Sequence, residues 1–323
     1  MKYFTSLFFF LFTSTLSFAQ SKILLEQTLA IEDWSTYPIY ERLTEEVNGT
    51  RQWKPAYTYL DSIDVYGITY LSDGLKIKGL LVTPKAPGKY PCIIFNRGGN
   101  REFGALTAEV NGVRLGQIAK EGYIVIASQY RGNGGSEGME QFGGDDVHDV
   151  TILPKVLADV KQADTSRIGM YGWSRGGMMT YIALTEMHNL KAAAVGGAIS
   201  DLTVIDRPEM ETNVYAELIP NYETEKEEEL KKRSAVYWAD KFPKDVPVLV
   251  LHGNSDWRVL CNNSLRLALE FDKYRIPYRL KIFEGGDHGL LDYRDEVNDE
   301  VIRWFERFVK NGEPLPNMEL HGK

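Results

Sequence analysis

Gly169-Met170-Tyr171-Gly172-Trp173-Ser174-Arg175-Gly176-Gly177 contains a Gly-x-Ser-x-Gly pattern with one further glycine, set at the end of an apolar run that begins at Ile168. A buried strand that turns abruptly into a helix holds its turn residue in strained dihedrals, and only small neighbours let the two backbones pass. Gly172 and Gly176 meet that need and leave the Ser174 hydroxyl exposed above a sheet, which is the form of a nucleophile elbow. A glycine-rich strand-to-helix turn with an incidental serine would read the same way, so the decision rests on what surrounds the stretch.

On both sides of it, apolar strands alternate with helical patterns. Residues 92–95 form a continuous apolar strand, 107–121 show helical spacing up to Gly122, and 123–128 read as the next strand. A helix over 147–160, a strand over 167–171, a helix over 176–185 and a strand over 191–199 follow. Beyond a charged interval come a strand at 246–251, a helix at 263–274, a strand at 278–283 and a helix at 292–310. Strands that are apolar throughout and separated by helices predict an α/β fold: a mostly parallel central sheet with helices on both faces. Ahead of it, the β-rich runs 63–71 and 75–83 flank Ser72-Asp73-Gly74, whose Asp-Gly pair predicts an antiparallel hairpin at one edge of the sheet. Residues 23–31 are expected to be helical, within an aromatic lead-in (Trp34, Tyr37, Tyr40, Trp53) that packs on the larger body. The organisation expected is a signal peptide at 1–19, the lead-in at 20–60, one domain at 61–311 with a small lid insertion at about 201–240, and a tail at 312–323.

The chain has 323 residues, 43% of them apolar, and 37 basic against 45 acidic residues give a formal charge of −8. No basic block suggests a nucleic-acid partner. The start of the chain carries Lys2, the apolar stretch Leu7 to Phe12 and then Ser17-Phe18-Ala19, which fits a cleaved export signal before Gln20. The apolar stretch is too short to span ~30 Å of hydrocarbon. The expected location is therefore secreted or periplasmic, with no stable membrane insertion after cleavage. Cys92 and Cys261 do not resemble a disulfide framework and are read as free.

A serine hydroxyl needs a base, and the base needs an acid to hold its tautomer. Of five histidines, His148, His188 and His321 lie on or beside helices or in the tail. His252 and His288 both follow predicted strands. His288 sits in the glycine-flanked loop Glu284-Gly285-Gly286-Asp287-His288-Gly289 and is the stronger candidate, because a packed, hydrogen-bonded role suits His252 in Leu251-His252-Gly253. Asp256 follows the preceding strand and is the natural acid, with Asp287 in reserve. Ser174 and Asp256 lie 82 positions apart, and Asp256 and His288 lie 32 apart, which accommodates the intervening elements in the order Ser, Asp, His.

Gly172-Trp173-Ser174-Arg175-Gly176-Gly177, Leu251-His252-Gly253-Asn254-Ser255-Asp256-Trp257-Arg258-Val259 and Gly286-Asp287-His288-Gly289 together resemble the catalytic domain of the prolyl oligopeptidase family of α/β-hydrolases. Tyr130-Arg131-Gly132-Asn133-Gly134-Gly135-Ser136 and Arg233-Ser234-Ala235-Val236-Tyr237-Trp238-Ala239-Asp240 add to the likeness, which spans about 60–310. The resemblance implies an α/β-hydrolase fold, nucleophile Ser174, acid Asp256 and base His288. One oxyanion donor is expected at the backbone N–H of Arg175 and a second at Gly98 or Gly99, in Asn96-Arg97-Gly98-Gly99-Asn100. Arg97 stands where the family often has a histidine or an oxyanion tyrosine. Arg97 and Arg101 are candidates for meeting a substrate carboxylate, or else form a structural pair with an acid. The Arg175 side chain is expected to pair with Asp201 or Asp206, and Asp145, Asp146 and Asp149 to act as caps at a helix start. No metal and no cofactor are expected.

The activity implied is an exported serine hydrolase cleaving an acyl bond in a small-molecule or short-peptide substrate, in the manner of dipeptidyl or aminoacyl peptidases. The family's peptidases carry a β-propeller, for which the roughly 40 residues expected between Gln20 and the hairpin leave no room. A carboxylesterase or deacetylase acting on small esters or decorated polysaccharide is the alternative, and a non-catalytic binding protein on the same fold is the alternative of another class. A homo-oligomer stays open.

Overall fold

The structure is a computed structural model that describes residues 22–322, so the expected export signal lies outside the described residues. Eleven strands are formed: β1 (Leu24–Leu29), β2 (Thr44–Val47), β3 (Thr50–Trp53), β4 (Ile63–Ser72), β5 (Leu75–Pro84), β6 (Tyr90–Asn96), β7 (Ile124–Ser128), β8 (Ala163–Trp173), β9 (Leu190–Gly196), β10 (Val248–Gly253) and β11 (Tyr278–Phe283). Nine of them make one sheet in the order β1-β4-β5-β7-β6-β8-β9-β10-β11, while β2 and β3 form a small separate ribbon. From β7 to β11 every neighbour is parallel, and β1, β4 and β5 are antiparallel additions. This is the α/β-hydrolase arrangement expected. The β4–β5 hairpin closes through Asp73 (φ 50°) and Gly74 (φ 79°), both left-handed as a two-residue primed turn requires.

Successive residues of each central strand point to opposite faces. On β6, Cys92 and Ile94 join one core while Ile93 and Phe95 join the other, and β10 divides in the same way between Val248, Val250 and Leu249, Leu251. The helices α1 (Ala108–Ala119), α2 (Arg175–Glu186), α3 (Tyr222–Lys232), α4 (Asn262–Tyr274) and α5 (Arg294–Phe305) follow in chain order. Leu115 and Ile118 of α1 and Val301, Trp304 and Phe305 of α5 cover one face of the sheet. Met178 and Leu184 of α2 with Leu267 and Phe271 of α4 cover the other. The helix expected over 147–160 is broken into three pieces, Asp145–Val147, His148–Thr151 and Leu153–Ala158, with Pro154 at the break because it has no N–H to donate.

The lead-in departs from expectation. Residues 24–29 form the edge strand β1 rather than a helix, pairing with β4 from Leu24↔Tyr70 to Leu29↔Tyr66, so the hairpin lies one strand in from the edge. The open ladder of β4 offers these residues hydrogen bonds that local helix propensity does not outweigh. Leu24 N–H is tied further to Asp159 Oδ2 at 3.0 Å, and the Thr69 hydroxyl donates to Glu26 Oε2 at 2.9 Å. The aromatics of the lead-in pack as expected: Trp34 is buried on α1 next to Gly112 and meets Trp53 edge-on at 6.2 Å. The segment 197–247 between β9 and β10 is an insertion of short helices and turns that includes α3.

Because Trp34 fills the space between lead-in and α1, Trp34→Ala is expected to destabilise the protein by about 3 kcal/mol. Denaturant unfolding checks this, and an unchanged midpoint would show that the lead-in contributes nothing to the core.

Candidate active site

At the end of β8 the chain turns into α2 through Ser174, whose φ of 58° and ψ of −125° place a non-glycine residue in a sparsely populated region. Such a residue stores of order 1–3 kcal/mol of strain and persists only where its surroundings fix it. They do so here from two sides: Ser174 N–H donates to Gly196 O on β9 at 2.8 Å, and Gly177 N–H donates to Ser174 O at 2.9 Å. Gly176 packs against the carbonyls of Asn96 and Arg97 at the end of β6, where any Cβ would collide with backbone.

Asp256 and His288 come from the loops after β10 and β11. His288 Nδ1 lies 2.7 Å from Asp256 Oδ2. The buried carboxylate also accepts the N–H groups of Arg258 (2.8 Å) and Val259 (3.0 Å) on Oδ1. Burial pushes the Asp256 carboxyl up, but the hydrogen bonds from His252, His288 and Val259 outweigh it and hold the group well below the usual carboxylate range. With Nδ1–H donated to Asp256, the Nε2 of a neutral His288 is left as an acceptor. His252 is fully buried and spent on structure: Nε2 donates to Val259 O at 2.8 Å, and Nδ1 faces Ser264 Oγ at 2.6 Å. Asp287, the reserve acid, accepts the N–H groups of Gly289 and Leu291 in its own loop.

Two contacts fix His288 further. Trp173 Nε1 donates to His288 O at 2.9 Å, and Gly197, at φ 50°, leaves the space beside the pair, since a Cβ there would sit 3.2 Å from His288 Nδ1 and 3.3 Å from Asp256 Oδ2. Ser174 and His288 line the same cavity. No hydrogen bond joins them in this arrangement, and contacts of that kind often tighten only when substrate seats.

On the opposite side of Ser174, the loop after β6 approaches closely: a Cβ on Gly98 would lie 3.2 Å from Ser174 Cβ. The backbone N–H groups of Gly98, Gly99 and Arg175 have no hydrogen-bond partner among the described residues. Their direction is fixed through the carbonyls, because C=O and N–H of a trans peptide point opposite ways. Tyr130 OH donates to Arg97 O at 3.0 Å, which orients the Gly98 N–H. Arg97 Nη1 donates to Gly98 O at 3.3 Å, which orients the Gly99 N–H.

The arginines correct the sequence reading. Arg97 does not meet a substrate carboxylate: it is 1% exposed, and Nε, Nη1 and Nη2 are all engaged by the carbonyls of Gln129, Gly98, Phe103 and Arg101. Arg101 is no substrate group either, since its guanidinium reaches across to the insertion, donating to Asn213 O at 3.0 Å and pairing with Glu217. Arg175 does pair with acids, but with Glu140 and with Asp146 (2.6 Å) rather than Asp201 or Asp206, and it also donates to Gly99 O at 3.0 Å. Asp201 pairs instead with Arg266. Asp146 and Asp149 are therefore buried ion-pair partners and not simple caps, Asp149 holding Arg131 at 2.8 Å. Tyr130 and Glu140 escaped sequence reasoning as site residues. Tyr130 stood in a quoted motif, but no local pattern marks Glu140.

Ser174, His288, Gly98 and Gly99 open on a cavity of about 550 Å³, within the usual size range for small-molecule sites. Val204, Ile205, Met210 and Tyr215 of the insertion line it, the last three packing with the core on one face of the sheet, and so do Phe95 and Trp173, which belong to the core on the other face. Cys92 takes no part: it is buried, and burial pushes its thiol up to about 12.

Comparison with known proteins agrees with this geometry. The model of the prolyl oligopeptidase family matches residues 111–312. An uncharacterized peptidase of Bacillus subtilis, YtmA, is 31% identical over 252 residues, covering 77% of this chain and 94% of that protein. Mouse dipeptidyl peptidase 8 is 27% identical over 231 residues, but there the match takes up 67% of this chain and only 25% of the relative. Among solved structures, an acylaminoacyl peptidase of Pyrococcus horikoshii superposes with a TM-score of 0.68 at 24% identity, over 84% of this chain and 47% of that one, which speaks for the fold. With the family model matching well over half of its length, the chain belongs to the prolyl oligopeptidase family and is a serine hydrolase.

Proposed function

We propose that the protein hydrolyses short peptides through a covalent acyl-enzyme, with Ser174 as nucleophile, His288 as base and Asp256 as the acid that orients it. The observation that carries this reading is the strained Ser174 turn on the same cavity as a His288 ring held by Asp256 at 2.7 Å. Ser174 Oγ attacks the acyl carbonyl carbon while its proton passes to His288 Nε2. The carbonyl oxygen, now an oxyanion, takes hydrogen bonds from the free N–H groups of Gly98 or Gly99 and of Arg175. Collapse of the intermediate breaks the C–N bond, and His288 returns the proton to the leaving amine. Water repeats the sequence on the acyl-enzyme and frees Ser174. Peptides are favoured over other acyl compounds by the family and by the activities for which relatives are named, dipeptidyl peptidase and acylaminoacyl peptidase.

A fluorophosphonate probe is expected to label the wild type and not Ser174→Ala, and a folded wild type that resists labelling would sink the enzyme reading. Turnover of peptide anilides against short-chain nitrophenyl esters then tests the substrate class, since activity confined to esters would remove the peptide assignment.

Tyr130→Phe deletes the hydroxyl that fixes the peptide carrying the Gly98 N–H. It is expected to lower kcat by up to about 10²-fold, bounded by the cost of losing one oxyanion donor, with KM little changed. A rise in KM with kcat unchanged would place Tyr130 outside the chemistry.

Asp256 also predicts a pH dependence of stability. Its folded pKa is depressed, so its contribution is complete above the unfolded value of about 3.9 and is lost as pH falls toward the folded one. The stability difference between wild type and Asp256→Asn should therefore be constant near neutrality and shrink below about pH 4. Denaturant titrations at several pH values measure it, and a difference that grows on acidification would contradict the assignment.

A further inference from the structure

The cavity is electrostatically uneven in a way that the triad does not explain. Of the guanidiniums lining it, Arg97 is spent on carbonyls, Arg175 is neutralised by Glu140 and Asp146, and Arg207 pairs with Glu209. Arg114 and Arg258 are exposed and have no acidic partner among the described residues. Arg258 stacks on Trp257 (5.3 Å) and Phe103 (5.9 Å), and Arg114 lies over Phe95 at 4.9 Å. Asp206, on the insertion, is the carboxylate of the cavity that no ion pair engages. In a chain of formal charge −8, two unneutralised cations among the residues lining one cavity favour an anionic ligand.

Direction separates the two arginines. The leaving group must lie beside His288, which returns a proton to it. The His288 carbonyl is anchored by Trp173, and Trp173 and Phe95 belong to the sheet face covered by α1 and α5. Ile205, Met210 and Tyr215 of the insertion line the cavity from the opposite face of the sheet and suit the acyl part. The leaving group then exits toward α1, where Asn111 and Arg114, one turn apart on the same helical face, line the cavity. A guanidinium presents paired donors matched to a carboxylate.

We propose that Arg114 binds the free α-carboxylate of the leaving amino acid or dipeptide, so that the enzyme selects scissile bonds close to the C-terminus of short peptides. This rests on the peptide-hydrolase reading above. It makes Arg114 a specificity residue: the carboxylate of the departing fragment is present in substrate and product alike, and a substrate amidated at that end lacks it.

The test uses the full chain with acetyl-Ala-Ala-Ala as the free acid and as the carboxamide, assayed both as substrates and as inhibitors of nitrophenyl acetate turnover. The wild type is expected to prefer the acid by on the order of ten- to a hundredfold in kcat/KM, as one charge-assisted contact predicts. Arg114→Gln should abolish the preference and Arg114→Lys should keep part of it, with Arg258→Gln retaining it. If esters are cut and neither peptide is, the peptide-hydrolase reading fails, and the acid-over-amide ratio in inhibition decides Arg114 on its own. A wild type with no preference in either assay, a preference that survives Arg114→Gln, or one lost in Arg258→Gln instead would overturn the proposal.

Discussion

The guanidinium of Arg175 joins three parts of the chain that are far apart in sequence: the first turn of α2, the loop after β6 through Gly99 O, and the segment holding Glu140 and Asp146. All three side chains are buried, and the ring of Tyr130 lies 5.0 Å from Arg175 and 5.2 Å from Arg97. Removing such charges from water costs several kcal/mol per ion, which Coulomb attraction returns only when every donor and acceptor finds a partner. Buried clusters of this kind are weak sources of net stability, and truncating one partner typically costs about 3–5 kcal/mol because the others are left uncompensated. What the cluster supplies is position. Ser174 precedes Arg175, Gly98 and Gly99 lie against the serine, and Glu140 accepts the Arg101 N–H at 2.7 Å, so the strained turn and the glycine loop are braced by the same ions.

Asp256 follows a different logic. It is a single carboxylate whose ionised form is supported by backbone N–H groups and two imidazoles, His288 at 2.7 Å and His252 at 3.3 Å. Its surroundings are fixed in turn, since His252 is closed off by Ser264 and Val259. One carboxylate oxygen is thereby held by the loop's own N–H groups and the other is left to the rings. Arg175 and Asp256 thus brace the two sides of Ser174 by independent means, one an ion cluster and the other a hydrogen-bonded loop.

Much of the framework was legible because its signals are local. Asp73-Gly74 names its own turn, β11 runs over the residues expected of it, and the loops after β8, β10 and β11 bring Ser174, Asp256 and His288 to one end of the sheet as their order along the chain suggests. What the sequence withheld was non-local. Residues 24–29 carry a pattern compatible with a helix, and only the unpaired edge of β4, some 40 residues later, makes a strand of them. Arg175 was expected to find an acid, yet its partners lie 29 and 35 positions upstream in a segment with no regular period. Arg97 stood as a candidate for a substrate carboxylate or for a structural pair with an acid, and it is neither. Its burial follows from carbonyls of Gln129 and Phe103 that converge only in the folded chain.

The same distinction separates chemistry from selectivity within the cavity. Ser174, Asp256 and His288 follow strand ends whose positions the parallel sheet fixes through hydrogen-bonded register, on both sides for β8 and β10 and against β10 for the edge strand β11. Other residues that give the cavity its shape and charge come from the insertion, from α1 and from the Trp257-Arg258 loop, outside the strand ends. A sheet that positions Ser174, Asp256 and His288 while other segments line the cavity lets the lining change without disturbing the strained turn. The Arg101 bridge to Asn213 and Glu217 is where these two parts meet, because it ties the loop that carries Gly98 and Gly99 to the insertion. Movement of the insertion would therefore be felt at the glycine loop through one exposed arginine, while the buried ion cluster beneath holds that loop against Ser174.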